Sequence, residues 1–313
     1  MFLPENKKLV VIVGPTAVGK TDLAIEISEQ TNGEIISADS RYFYRGMDIG
    51  TAKPGAEQRA RVPHYLIDVA DIDEIWSLGV YQREAKVIMN EIFSRGKMPF
   101  LVGGTGQYIR SMIEGWQIPE KSPDYGLRDF LEKWAEKVGS EKLHQKLSIL
   151  DPEAAAIIDF RNKRRTIRAL EVILSSGKKF SDLRMRSPLD FKFKMIGLYR
   201  DRNQLYERID QRIDEMFELG FIDEVKFLLK KGYSIDNSPL TAIGYNEVIG
   251  FIEGKMDFQE CVLKIKKRTR EFVRRQANWF KPLDPRIKWF DVTVDCKNEI
   301  IAFINSDDGW QRE

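Results

Sequence analysis

The apolar positions of this chain fall into two textures. Lys8 to Val13, KLVVIV, is a β-branched run without alternation, as in a strand covered on both faces within a parallel sheet. A helix from Lys20 to about Gln30 follows. GEIISAD, Gly33 to Asp39, reads as a second strand, and VPHYLIDV, Val62 to Val69, as a short third in which His64 is a packed or edge side chain. Ser77 then caps a helix whose Tyr81, Ala85, Ile88 and Ile92 share one face, and Gly96 ends it. Pro99 to Val102 is a further buried strand. The alternation of strand and helix predicts a right-handed, doubly wound parallel sheet.

From about Gly115 the strands stop. Leu127, Leu131, Trp134 and Val138 mark one apolar stripe, Leu143, Leu147 and Leu150 a second, and Ile167, Leu170 and Leu174 a third that Gly177 terminates. This predicts a helical insertion over residues 115–192 between two parts of an α/β core, 1–114 and 193–313. Phe193 to Arg200 resumes the strand pattern. In the helix after it, Leu205, Ile209, Ile213 and Met216 face inward, while Arg208 and Arg212 fall four apart on another face, where both can reach one anion. A glycine turn and a GYNEV helix ending near Gly254 come next. Lys264 to Phe280 is an amphipathic helix with Ile265, Phe272, Gln276 and Trp279 along one stripe and Lys267, Arg270 and Arg274 along another. RIKWFDVTV and CKNEIIAFI predict a last strand and a closing helix.

Between the first strand and its helix lies the chain's most informative stretch, GPTAVGKT. Gly14, Gly19, Lys20 and Thr21 match GxxxxGK(S/T), and the strand before and helix after supply the context the motif requires. Its glycines permit the turn, backbone N–H groups and a helix N-terminus face an anion, Lys20 adds charge, and the Thr21 hydroxyl suits Mg²⁺. Loop and alternation together predict an α/β, P-loop NTPase-like parallel sheet flanked by helices, with an inserted helical domain. Ligands of such sheets gather at the carboxyl ends of strands, so the loop carrying Asp39, Ser40 and Tyr42 should lie beside the phosphate site. A second glycine-rich turn, Gly103, Gly104, Thr105 and Gly106, ends the strand from Pro99 to Val102.

Composition narrows the chemistry. The two histidines leave no histidine triad and no HExxH zinc site, so an acid or base here is a carboxylate. Cys261 and Cys296 lack metal-ligand spacing and read as reduced thiols of a cytoplasmic protein. No apolar run approaches membrane length, and the start MFLPENKK lacks the apolar core of a signal peptide. A net charge of +2 conceals two basic runs, RNKRRTIR and KIKKRTREFVRR, and by itself neither demands nor excludes nucleic acid. Two reactions stay open on this constellation. In a kinase the cradle holds nucleotide phosphates and Asp39 meets an acceptor hydroxyl; in an alkyl transfer it holds a leaving pyrophosphate and Asp39 takes a proton from the nucleophile.

SADSRYFYRGMDIGTAKP, GGTGQYI, RALEV, RIDQRIDEM, the GYNEV helix and KRTREFVRRQANWF, in that order after GPTAVGKT, resemble the tRNA dimethylallyltransferase (tRNA isopentenyltransferase) family from Leu9 to about Phe280. The resemblance implies transfer of a dimethylallyl group from dimethylallyl pyrophosphate to N6 of the adenosine 3′-adjacent to the anticodon, with Mg²⁺. It implies that Gly14, Pro15, Thr16, Ala17, Val18, Gly19, Lys20 and Thr21 grip pyrophosphate, and that Asp39 is the general base. Thr105, with one of Arg208 and Arg212 bracing the leaving group, completes the implied catalytic set. Asp39, Ser40, Arg41 and Tyr42 would contact the extruded adenosine. Thr105, Arg128, the stretch Arg164, Arg165, Thr166, Ile167 and Arg168, and the basic helix with Arg270, Arg274 and Arg275 would touch the tRNA anticodon stem-loop. Many relatives carry Gln where this chain has Tyr42. The implied protein is a cytoplasmic monomer with no membrane partner. Its rivals are a P-loop kinase, an adenylate isopentenyltransferase acting on free nucleotide, and an RNA-binding module with a relic phosphate loop.

Overall fold

The computed structural model describes residues 7–118, 124–182, 186–235 and 239–312. The expectations for residues 1–6 and for 236–238 in the glycine-turn segment lie outside the described residues. The chain divides into two compact units, Met1–Ile113 with Leu189–Glu313, and Glu114–Pro188.

The first unit begins with β1 (Lys8–Val13), α1 (Lys20–Gln30), β2 (Gly33–Ser37), α2 (Ala56–Arg61), β3 (His64–Tyr65), α3 (Leu78–Ser94), β4 (Met98–Gly103) and α4 (Gly106–Ile113). The second unit contributes α5 (Tyr125–Val138), α6 (Ser140–Leu150), α7 (Pro152–Ile157) and α8 (Lys163–Ser176). The chain then returns as β5 (Lys192–Tyr199), α9 (Arg202–Glu218), α10 (Phe221–Lys230), α11 (Tyr245–Ile252), α12 (Phe258–Gln276), β6 (Ile287–Asp291) and α13 (Lys297–Asn305). The strands form one sheet in the order β3-β2-β4-β1-β5-β6, every pairing parallel.

The sheet centre lies where the unbroken apolar runs put it. Val10 to Val13 are fully buried between β4 and β5, with Val10 opposite Phe100 on one side and Lys194 on the other. Each such side chain contributes about 1.5–3 kcal/mol on leaving water, which fixes β1 in the middle. Lys194 is tolerated there because its ammonium donates to the Ser306 carbonyl, 2.7 Å away, just past the end of α13, where cations suit the helix dipole.

Several elements differ from the sequence expectation. β2 stops at Ser37, freeing Ala38 and Asp39 to turn away, and the Ala38 N–H closes onto the Val102 carbonyl at 2.7 Å. β3 spans two residues instead of running from Val62 to Val69, because Leu66 and Asp68 take positive φ of 60° and 56° and leave the extended region. His64 lies in this edge strand, its Nδ1 2.7 Å from the Val62 carbonyl. The short helices α2, α4, α7 and α10 had no sequence reading of their own.

The second unit packs its own core from Leu131, Ala135, Leu143, Leu147, Ile167 and Leu170. Leu150 and Leu174, expected in the apolar stripes, are exposed at 41% and 55%: Leu150 is the last residue of α6, and in α8 it is Ile173, one residue earlier, that packs on the core. At the base of this unit the Ser187 N–H donates to the Gly115 carbonyl at 2.8 Å, and Trp116 bridges Arg186 in antiparallel fashion. Gly177 closes α8 in the left-handed conformation, as its position predicts.

Candidate active site

The strand order brings three loops together, since β1, β4 and β2 are neighbours and the segments after them carry the glycine-rich loop, the second glycine turn and Asp39. They line one cavity of about 1010 Å³ with residues from α9, from α12 and from the segment 241–244 that precedes α11. The loop turns into α1 at Gly19, whose φ of 108° is reserved in practice for glycine. Lys20 follows at once and donates from Nζ to the Pro15 carbonyl at 2.8 Å. Burial pushes its ammonium down to about 8, with the Asp39 carboxylate opposing that shift and the Arg212 guanidinium adding to it. Lys20, Asp39 and Arg212 therefore share one electrostatic neighbourhood.

Asp39 is held by a local turn. Its Oδ1 accepts the Arg41 N–H at 3.0 Å and its own N–H donates to the Ser37 hydroxyl at 3.2 Å. Thr105 locks the next residue: its Oγ1 accepts the Ser40 N–H at 3.2 Å while its N–H donates to the Ala38 carbonyl. The Arg41 guanidinium donates to the Pro239 carbonyl at 3.2 Å. Tyr42 donates to the Ala52 carbonyl at 3.0 Å and meets the Thr21 hydroxyl. Burial, with Asp39 adding to it, pushes the Tyr42 hydroxyl up to about 12, so it remains a donor.

The two arginines do different work. Arg208 donates from Nε to the Ala17 carbonyl at 3.0 Å and so braces the glycine-rich loop itself. Arg212 donates one guanidinium nitrogen to the Thr51 carbonyl at 2.9 Å, while its Nε is buried without a hydrogen-bond partner. A buried, unsatisfied cationic donor beside Lys20 is disposed to receive an anion's oxygen.

Gln276, which the sequence pattern places only on the inward stripe of α12, joins both glycine turns. Its Oε1 accepts the Thr16 N–H at 2.9 Å and its Nε2 donates to the Gly104 carbonyl at 3.2 Å. The available signal was a polar residue on the inward stripe of a helix. That stripe runs through Cys261, Ile265, Val273 and Gln276; Phe272, expected inside, is exposed because the buried face passes one residue later.

Other expected contact residues are dispersed. Thr166 and Ile167 are buried in the helical unit, the Thr166 hydroxyl 3.3 Å from the Asn162 carbonyl, so their side chains hold that unit together and do not face a ligand. Arg164 and Arg165 are exposed, whereas Arg128 and Arg168 converge on the buried Glu171 at 2.8 and 3.0 Å. Arg270 pairs with Asp210 and lies over the Tyr206 ring; Arg274 and Arg275 are exposed. Cys261 and Cys296 are free and buried, and no helix among the described residues is long and apolar enough to cross a membrane.

No group of three or more His, Cys, Asp or Glu side chains among the described residues is placed to hold a metal ion. Thr21 and Asp39 nevertheless line the same cavity. The Thr21 hydroxyl suits Mg²⁺, an ion commonly held through few protein groups together with waters and substrate phosphates.

A parallel sheet with a GxxxxGKT turn after its central strand, a buried lysine and a hydroxyl at the helix start define a P-loop protein. This one adds a carboxylate and two arginines that line the same cavity as the loop. The chain belongs to the IPP transferase family, whose model matches residues 42–282, and an isopentenyl transferase model matches residues 7–74. It is 43% identical to the tRNA dimethylallyltransferase of Thermomicrobium roseum over 92% of this chain and 88% of that one. The crystal structure of the full-length tRNA isopentenylpyrophosphate transferase of Bacillus halodurans is similar at 41% identity and a TM-score of 0.69, over 96% and 95% of the two chains. A eukaryotic dimethylallyltransferase acting on tRNA matches at 28% identity and a TM-score of 0.78, over 91% of this chain and 74% of the other.

Proposed function

We propose that this chain transfers a dimethylallyl group from dimethylallyl pyrophosphate to N6 of the adenosine 3′-adjacent to the anticodon of tRNA, releasing pyrophosphate. The observation that carries this reading is the opposition, within one cavity, of Asp39 to Lys20 and Arg212. Relatives named for tRNA over most of this chain's length support it over kinase and free-nucleotide alternatives.

The residues divide the work as the chemistry requires. The adenine amine is a weak nucleophile because its lone pair spreads into the ring. As its nitrogen bonds the allylic carbon and the carbon–oxygen bond to pyrophosphate breaks, Asp39 takes the amine proton. Loop amides, Lys20 and Arg212 receive the negative charge gathering on the leaving group, and Arg208 keeps the loop in shape to do so. Thr105 holds the turn from which Asp39 reaches the amine. Mg²⁺ on Thr21 would neutralise diphosphate charge. Water must be kept from the allylic carbon, and an unstacked base filling the cavity serves that end. Ser40, Arg41 and Tyr42 lie beside Asp39, where such a base would sit. Exposed Arg164, Arg165, Arg274 and Arg275, with Arg128 and Arg168, supply phosphate contacts that set register. We assign the reaction to the cytoplasm, where tRNA resides, and to a monomer, since all the groups assigned to the chemical step line one chain's cavity.

The test is incubation with labelled dimethylallyl pyrophosphate and an unmodified anticodon stem-loop, followed by nucleoside analysis. N6-dimethylallyladenosine at the position after the anticodon is expected. Label that stays out of RNA while the protein consumes ATP would overturn the reading in favour of a kinase.

A further inference from the structure

Arg212 and Tyr42, which flank Lys20 and Asp39, are both tethered to the same short segment. The Thr51 carbonyl holds the Arg212 guanidinium and the Ala52 carbonyl holds the Tyr42 hydroxyl. That segment is itself held from outside the cavity. Glu224, on α10, accepts the N–H groups of Asp48, Ile49 and Gly50 at 3.0, 2.7 and 3.2 Å, and the Tyr245 hydroxyl, from α11, at 2.6 Å. Three successive amides converging on one carboxylate form a backbone nest, and here the anion that fills it belongs to the protein.

The surroundings make this a fixed attachment. A Cβ on Gly50 would stand 2.1 Å from the Phe221 ring and 2.7 Å from the Tyr245 ring, so the segment presses directly on α10 and α11. Lys53 closes the other end, its ammonium donating to the Tyr44 carbonyl at 2.7 Å and pairing with Asp48 and Asp68, each at 2.6 Å. Four hydrogen bonds on one carboxylate leave it little freedom, and charge-assisted bonds of this kind are the strong ones.

We propose that Glu224 is a positioning residue for the transfer: through the 48–52 backbone it sets where Arg212 and Tyr42 stand, and hence how well the cavity grips pyrophosphate. The inference rests on the functional reading above. Glu224 touches no reacting atom. Its part is to hold two carbonyls at the spacing that aims a guanidinium at the leaving group and a hydroxyl at the Thr21 end of the loop.

Glu224→Gln keeps the size of the side chain but turns one acceptor into a donor facing amides. Titration of inorganic pyrophosphate with Mg²⁺ into full-length protein should show affinity lowered about tenfold, the order observed when the partner of a functional ligand is lost. In transfer assays kcat should fall while KM for the stem-loop stays put. The same substitution in a background without either tether, Arg212→Ala with Tyr42→Phe, should change pyrophosphate affinity less than about twofold, because coupled residues are non-additive. Equal losses in both backgrounds would overturn the proposal, since a residue that only supports the fold weakens both alike. Should Glu224→Gln fail to fold, Tyr245→Phe removes one of the four bonds and carries the same comparison at smaller amplitude. The titration needs no prenyl transfer. A protein that binds pyrophosphate and shows the coupling but alkylates nothing would uphold the clamp and defeat the functional reading alone.

Discussion

Lys20 sits where burial and a neighbouring guanidinium work against its charge, and the Asp39 carboxylate supports it. A lysine pushed down to about 8 is cationic below that pH and neutral above it. The Lys20 contribution to pyrophosphate affinity, read as the difference between this chain and Lys20→Ala, should therefore hold up to about pH 8 and fall as the pH rises beyond it. Calorimetric titration across pH 6.5–9.5 checks this, and Lys20→Arg, charged throughout, should abolish the fall. Asp39→Asn keeps the turn-forming oxygen that accepts the Arg41 N–H but cannot take a proton. Single-turnover transfer should drop about a hundredfold with pyrophosphate binding retained; an unaltered rate would remove Asp39 from the chemistry. At this scale the loop, Asp39 and the arginine pair were legible, because each is a short-range spacing next to a strand or along a helix. Gln276 was not, for it meets Thr16 from 260 residues away. Nor were the tethers of Arg212 and Tyr42, because a backbone carbonyl accepting a bond leaves no mark on residue type.

Among the elements, α12 joins a basic exposed face to a polar side chain turned inward. Gln276→Leu leaves the Thr16 N–H and Gly104 carbonyl without their partner, and orphaning the buried bond to Gly104 costs about 1–3 kcal/mol. Denaturant melts should show that loss, and pyrophosphate affinity should fall with it. In α8 the prediction separates neighbours. Ile167→Ala should destabilise the helical unit by about 2–5 kcal/mol through its core, whereas Arg164→Glu should leave melting unchanged and weaken stem-loop binding. Strands covered on both faces announce themselves by unbroken apolar runs, so β1, β4 and β5 were read nearly to their ends. β3 was overextended because apolar residues continue through Leu66 and Ile67 after the backbone has turned. α2 and α4 escaped because a helix of six or eight residues holds too few turns to show periodicity. The α12 stripe was misplaced by one residue, Phe272 for Val273, since both are apolar and only packing chooses between them.

For the molecule as a whole, charge is arranged in patches while the sum stays near zero. Reversal of Arg274 and Arg275 together should weaken stem-loop affinity and flatten its dependence on salt, as fewer counterions are released; an unaltered slope across a salt series would assign that face of α12 to structure. The division into a sheet unit and a helical unit could be read from where strands cease, but the strand order could not, since register and neighbour choice depend on contacts far apart in sequence. One consequence follows from the pairing of Gly115 with Ser187. The outgoing and returning chains of the helical unit already run side by side at that pair. A few glycines spliced in place of the residues between them should let the six-stranded unit fold by itself, so that what the helical unit adds to RNA grip is measured by subtraction.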